Sequence, residues 1–201
     1  MRSKHVDDTE STRQALVDSA LDLFTKRGYA GTSLDTIVKR ARVTKGALYH
    51  HFSGKQALFE AVFDRVERRA LEQLAAVVDG DGTAWDRAMA GVKAYVRVCL
   101  EPAYQRIVIH EAPVVMGWER WREAEEQFSY GLVRATVEAL VDAGEIEPLP
   151  VEVTARVLFG ALSAGAEAIA SSAEPKKAAA EVTTTIIVVM EGMRRNANTR
   201  S

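Results

Sequence analysis

Residues 32–52 read Thr32-Ser-Leu-Asp-Thr-Ile-Val-Lys-Arg-Ala-Arg-Val-Thr-Lys-Gly-Ala-Leu-Tyr-His-His-Phe52, and this stretch decides the fold. Thr32-Ser-Leu-Asp35 is a capping-box pattern, which opens a helix through Leu34, Ile37 and Val38 that ends near Arg40. Only Ala41-Arg42-Val43 separates it from Thr44, a second N-cap residue, which opens a short helix through Leu48 to His51. Two short capped helices joined by a three-residue turn form a helix-turn-helix. Ile37, Val38, Ala41, Val43, Leu48 and Phe52 can lock the pair against a preceding helix, so that Thr44, Lys45, Tyr49 and His50 face solvent. In such motifs the second helix enters the major groove with its N-terminal residues on base edges. Lys45 suits guanine acceptors or phosphate, Tyr49 and His50 offer donors at the groove wall, and Gly46 lets backbone approach the duplex. Lys55 stands in the first turn of the next helix, against the helix dipole, a placement that a nearby phosphate would explain. An ordinary three-helix bundle with a basic surface fits the same pattern.

Outward from this motif the chain reads as helix throughout. A first helix covers residues 11–27 and stops at Gly28, with Lys26 and Arg27 against the negative end of its dipole. Ser53-Gly-Lys-Gln56 begins a long helix to about Val78. Gly80-Asp-Gly82 is a loop, and Thr83-Ala-Trp-Asp86 caps a helix to about Leu100. A shorter helix starts at Glu101-Pro102 and is expected to break at Pro113. Three more follow over residues 118–143, 151–171 and 175–195, with Gly144 and Pro148 as stops and Pro175 in a first turn. The polar ends, residues 1–10 and 196–201, are expected to fray. The fold class is all-α, with no strand and no internal repeat.

Composition agrees. The 201 residues are 47% hydrophobic and 27% charged, the balance of a globular chain. There are 31 alanines, and none of the five prolines precedes Pro102. Net charge is −2, but residues 1–58 carry 10 Lys or Arg against 6 Asp or Glu, while residues 59–201 carry 16 against 22. Lys39, Arg40, Arg42, Lys45 and Lys55 stand in a stretch without an acid, as expected where one small face meets a polyanion. No apolar run approaches the ~20 residues of a membrane span, so no membrane partner is expected. The start, Met1-Arg-Ser-Lys-His, runs into Asp7-Asp8 and lacks the apolar stretch of a secretory signal. A single cysteine, Cys99, fits a reducing cytoplasm. Catalysis is not expected. Nucleophile-elbow, phosphate-loop, dinucleotide and zinc-protease motifs are absent, and no cofactor or metal is called for. Adjacent His50 and His51 diverge by about 100° on a helix and cannot chelate jointly.

The run Gly28-Tyr-Ala-Gly-Thr32-Ser-Leu-Asp-Thr-Ile37, then Thr44-Lys-Gly-Ala-Leu-Tyr49-His-His-Phe52, resembles the DNA-binding domain of the TetR family of transcriptional repressors. Leu23-Phe24 and Lys55…Leu58-Phe59 extend the resemblance over roughly residues 11–60. It implies a homodimer whose N-terminal heads bind a palindromic double-stranded DNA operator and whose helical C-terminal domain binds a small molecule that releases it. By the same resemblance Thr44, Lys45, Tyr49, His50, His51 and Lys55 contact bases or phosphates, and Thr32 caps at the DNA backbone. Arg42 stands where the family usually has glycine, a turn position of positive φ that costs another residue on the order of 1 kcal/mol; contact with phosphate would recover part of that. The implied division is residues 1–55 for DNA, with a loose tail over about 1–10, and residues 56–201 for ligand binding and dimerisation.

The remainder is read from its residues. Tyr95, Cys99, His110, Met116, Trp118, Trp121 and Phe128 concentrate bulky, polarisable groups, as a pocket for a modest, mostly apolar effector would; plain core packing explains any one of them equally. Val157, Ala161, Ala164 and Ala168 recur at helical spacing beside Gly160 and Gly165, and Val182, Ile186, Val189 and Met193 repeat the pattern. Small residues let helices approach closely, so these two helices are expected to form a four-helix dimer seam. A helix-turn-helix activator, or a regulator answering to a partner protein, is the alternative.

Overall fold

The computed structural model describes residues 2–194 and divides into two compact units. The first comprises residues up to Glu67 together with Pro102–Trp121; the second comprises Arg68–Glu101 and the residues from Arg122 onward. The sequence reading ends the N-terminal part at residue 55, whereas the first unit extends twelve residues further and takes in a distant segment.

In the first unit, α1 (Arg2–Arg27) ends at Gly28, whose φ of 74° is the left-handed stop expected there. The helix begins at Arg2, so the loose tail expected over residues 1–10 is helical from its second residue. No Pro or Gly stands before Gly28 to halt the helix. Met1 and residues 195–201 lie outside the described residues. Next come α2 (Leu34–Ala41), α3 (Lys45–His51) and α4 (Lys55–Val78), the last contributing its first half to this unit. Leu16, Ala20, Phe24, Ile37, Leu48, Leu58, Phe59 and Phe63 are almost wholly buried. These are the periodic apolar positions of four helices, and burying a side chain of that size is worth about 1.5–3 kcal/mol.

The segment that joins this unit from afar is a π-helix, Tyr104–Glu111, followed by α6 (Ala112–Val115) and the start of α7 (Trp118–Glu125). The chain does not break at Pro113, as the sequence implied. Ala112 donates its N–H to the Ile107 carbonyl in the wide π register, so the next donor in that register would be Pro113, which has none. The orphaned Val108 carbonyl is taken instead by the indole Nε1 of Trp121 at 3.1 Å. Helix α6 ends at Met116, and Gly117 makes the turn with φ 86°.

The second unit holds α5 (Ala84–Cys99), the end of α7, a π turn Glu126–Tyr130, α8 (Gly131–Asp142), α9 (Val151–Ala170) and α10 (Pro175–Gly192). Thr83 and Asp86 form the reciprocal capping box expected at the start of α5. The continuous helix expected over residues 118–143 is thus interrupted by one π turn. Tyr130, at its end, stacks edge-on with Phe159 and donates its hydroxyl to Glu152 at 2.7 Å. The core gathers Trp85, Ala88, Val137, Leu140, Ile146, Ala155, Leu158, Ile186 and Met190.

Helix α9 corrects one sequence reading. It has 20 residues and mean hydropathy 1.3 over its most apolar stretch, so by length and composition alone it could cross a bilayer. Counting unbroken apolar runs misses it, because Glu152, Arg156 and Glu167 interrupt a helix otherwise made of small and aliphatic residues. Gly165 is where α9 approaches α10: a Cβ there would lie 2.7 Å from Val182 Cγ1. Gly165→Ala is therefore expected to force the two helices apart and cost about 1–3 kcal/mol, read as a lower urea midpoint at unchanged slope.

Candidate nucleic-acid interface

The exposed side of α3 is built from its caps inward. Thr44 is the N-cap, with φ −87° and ψ 159°, and its Oγ1 accepts the Ala47 N–H at 3.1 Å. Leu48 is buried on the opposite side and fixes the helix roll, which leaves Lys45, Gly46, Tyr49 and His50 exposed, with Tyr49 at 58%. A Cβ on Gly46 would meet nothing closer than 3.8 Å, so Gly46 is unobstructed toward solvent. His51 is half-buried, packed between the rings of His50 and Phe52.

Helix α2 is capped one residue later than the sequence implied. Ser33, not Thr32, accepts from the helix, taking the Thr36 N–H at 3.2 Å. Thr32 is buried, at 2% exposure, and its hydroxyl donates to the Gly28 carbonyl at 2.8 Å, closing the end of α1. Thr32 therefore closes the end of α1 instead of capping α2. Arg42 does adopt the left-handed conformation, φ 57° and ψ 38°, with its N–H turned back to Lys39 and Val38. The Val43 N–H reaches the Val38 carbonyl at 3.1 Å, completing a turn of Schellman type. Arg42 itself is exposed.

Three partners of the basic residues were not legible in the sequence. Asp35 Oδ1 holds the Lys45 ammonium at 2.6 Å, and this hydrogen bond raises the Lys45 pKa. Asp22 holds Arg40 at 2.7 Å and Lys26 at 2.6 Å. Lys55 Nζ lies 4.2 Å from the centre of the Tyr29 ring; burial pushes its pKa down, and the charge of Glu111 opposes that. Lys55 thus has partners within the unit in the free chain. Glu111 also accepts the Tyr29 N–H with both carboxylate oxygens at 2.9 Å. Only the burial of Tyr29 in an aromatic group could have pointed to this contact.

The seven pocket candidates divide between the two units. His110, Met116, Trp118 and Trp121 belong to the first unit, and Tyr95, Cys99 and Phe128 to the second. His110 is exposed and Trp118 is 62% exposed, its ring 4.8 Å from and tilted 45° to that of Trp121, whose indole is committed to Val108. Cys99 is fully buried; Tyr95, Met116 and Phe128 are half-buried. None of the seven lines the groove of about 340 Å³ formed by Val78, Asp79, Ala84, Arg87, Leu132, Ala135, Thr136 and Ala139.

The seam residues divide. Val157, at 64% exposure, and Ala161, Ala164 and Ala168 form one exposed face of α9. On α10 Val189 is 49% exposed, but Ile186 is buried at 6% in the core of its own unit, and Val182 and Met193 pack against that core. The exposed apolar side of α10 runs instead through Val188 and Val189, two and three residues on from Ile186. Ile186 is thus buried within its own unit, and it also lines the groove between α9 and α10.

A capped helix-turn-helix with an exposed polar reading face, joined to a separate all-helical unit, defines a DNA-binding regulator. Residues 16–62 match the family model for bacterial regulatory proteins of the tetR family, and residues 85–193 match that for the tetracyclin repressor-like C-terminal domain. The chain belongs to the TetR family of transcriptional regulators. It is 28% identical over 151 residues to the transposon Tn10 TetC protein of Escherichia coli, covering 75% of this chain and 76% of that one. The regulator SrpR of Pseudomonas putida is 42% identical over 62 residues, 31% of this chain and 29% of its own length. A TetR-family transcriptional regulator from Pectobacterium atrosepticum superposes with TM-score 0.84 at 28% identity, covering 94% of this chain and 97% of its own. Arg42→Gly should relieve the left-handed strain and raise stability by up to about 1 kcal/mol, part of the gain being lost to the greater freedom of glycine in the unfolded chain. A higher urea midpoint with the helical circular-dichroism signal unchanged is the expected result.

Proposed function

We propose that the chain is a ligand-responsive repressor, binding a palindromic operator as a homodimer and released by a small, mostly apolar effector. The observation that carries the reading is the exposed face of α3, where Lys45, Tyr49 and His50 project while Leu48 anchors the helix. Thr44, Gly46, Arg42, His51 and Lys55 flank that face. Dimerisation is supported by the stripe Val157, Ala161, Ala164 and Ala168 on α9 with Val188 and Val189 on α10, apolar area left uncovered in one copy. Between the two helices runs a groove of about 370 Å³ lined by Ala161, Ala164, Ala168, Val182 and Val189. For the effector, the 340 Å³ groove of the second unit falls within the size range of small-molecule sites, with Arg87 and Asp79 as its charged groups. An effector releases DNA only by favouring a conformation whose two heads no longer fit consecutive major grooves. Helix α4, which supplies residues to both units, is the lever in this reading.

Duplexes selected from a random 30-base-pair pool by the full chain provide the test. Lys45→Ala and Tyr49→Ala should weaken their binding while leaving the helical signal intact. A base-reading Lys45 would cost roughly 1–3 kcal/mol at one position, whereas a phosphate contact would lower affinity uniformly and reduce the salt slope by about 1. Full affinity in both folded variants would overturn the assignment. A regulator answering to a partner protein would bind DNA in the same way but show no thermal shift with any metabolite.

Val157→Glu tests the dimer without touching the subunit core, because Val157 is 64% exposed in one copy. Sedimentation should show a dimer for the wild type at micromolar concentration and a folded monomer for the variant, since burying an unpaired charge at the seam costs several kcal/mol. A monomeric wild type would overturn both the seam and the palindromic operator.

A further inference from the structure

Asp35 stands out on the reading face. It is the only acid between residues 28 and 59, a stretch that carries Lys39, Arg40, Arg42, Lys45 and Lys55. A carboxylate on a surface offered to a polyanion lowers affinity for every DNA sequence alike. Its placement is specific. Asp35 lies in the first turn of α2, where the helix dipole favours it, and Lys45 opens α3, where the dipole opposes it. The two meet at 2.6 Å across the turn, with side chains 68% and 63% exposed.

Resting on the DNA-binding reading above, we propose that Asp35 is an affinity-setting residue, a latch that Lys45 must leave before it can contact DNA. Non-specific complexes are held almost wholly by phosphate contacts, each of which releases counterions. To add one, Lys45 must leave Asp35 and expose its carboxylate to the duplex. An ion pair this exposed is worth about 0–1 kcal/mol, enough to bias the exchange by a few fold and not enough to block it. At a matched site the ammonium exchanges Asp35 for guanine O6 and N7, a directed contact that outweighs the pair. The latch thus lowers binding to every duplex that Lys45 contacts, by no more than the worth of the pair. The flexible four-carbon stem of lysine makes the exchange possible without moving either helix.

The experiment compares the wild type with Asp35→Asn, Asp35→Glu, Lys45→Ala and the Asp35→Asn/Lys45→Ala double variant, all as full chains checked for helical signal and urea midpoint. Each is titrated with a random-sequence 30-base-pair duplex and with a duplex selected by the wild type, over a series of salt concentrations. Asp35→Asn should bind the random duplex about 2–5-fold more tightly. Its plot of log affinity against log salt should be steeper by about 0.9, one further phosphate contact. The gain should extend to the selected duplex, Asp35→Glu should restore wild-type affinity, and the gain should vanish when Lys45 is already Ala. Unchanged random-duplex affinity in Asp35→Asn would overturn the latch, and so would an equal gain in the Lys45→Ala background, which would mark simple charge repulsion. A wild type that retains no duplex would overturn the DNA-binding reading, and the latch with it.

Discussion

The Tyr29 amide donates to both carboxylate oxygens of Glu111, and the placement of the helix-turn-helix depends on this anchor. The link between α1 and α2 has to turn sharply and still end in a fixed place. Gly28 makes the turn at positive φ, and a Cβ there would lie 2.6 Å from Glu111 Oε1, so a side chain would displace the anchoring carboxylate. Tyr29 then puts its ring among Phe24 and Phe59 at 5.4–5.7 Å, joining the end of α1 to the start of α4. Lys55 closes the outer face of that ring, and Thr32 ties its hydroxyl back to Gly28. With both ends of the link fixed, the Ser33 cap and the left-handed Arg42 determine where α2 and α3 point. A reading face held in this way loses little conformational freedom on meeting DNA.

What the sequence disclosed follows from the range of each signal. The Thr44 cap, the Gly28 stop, the Thr83 capping box and the periodic core residues Leu48, Ile37 and Phe24 are local features, and all are found where the pattern puts them. The cap of α2 was displaced by one residue because Thr32 and Ser33 both carry a hydroxyl, and only the nearness of the α1 carbonyls decides between them. Glu111 lies 82 residues from Tyr29, and no periodicity links them. Asp35 was legible as a helix-start acid but not as the partner of Lys45, since that pairing depends on the angle between two helices.

The π segment shows the same limit from another side. Proline in a helical pattern ordinarily marks an end, and Pro113 would end an α-helix. In the wide register the missing donor leaves one carbonyl open, and a tryptophan thirteen residues from Val108 fills it. Trp121 therefore owes its place to a backbone acceptor, although its size and polarity fit a ligand wall equally well by sequence. Bulk and chemistry alone do not separate a side chain that repairs a helix from one that lines a pocket. The orphan it satisfies does.

Helix α9 carries this ambiguity to whole faces. A helix that covers a core on one side usually alternates with polar residues and has a modest mean hydropathy. On α9 the inward face, with Ala155, Leu158, Ala166 and Ile169, is apolar, and so is much of the outward face, with Val153, Val157, Ala161, Ala164 and Ala168. That second apolar face brings the helix to the hydropathy of a membrane span, while Glu152, Arg156 and Glu167 stay exposed. On α10 the open positions Val188 and Val189 follow the core position Ile186 by two and three residues, about 200° and 300° around the helix. A stripe counted on sequence alone can follow either face. Burial in the single copy separates them, and it assigns Ile186 to folding while leaving the Val157 and Val188 faces for a second copy of the chain in the proposed dimer.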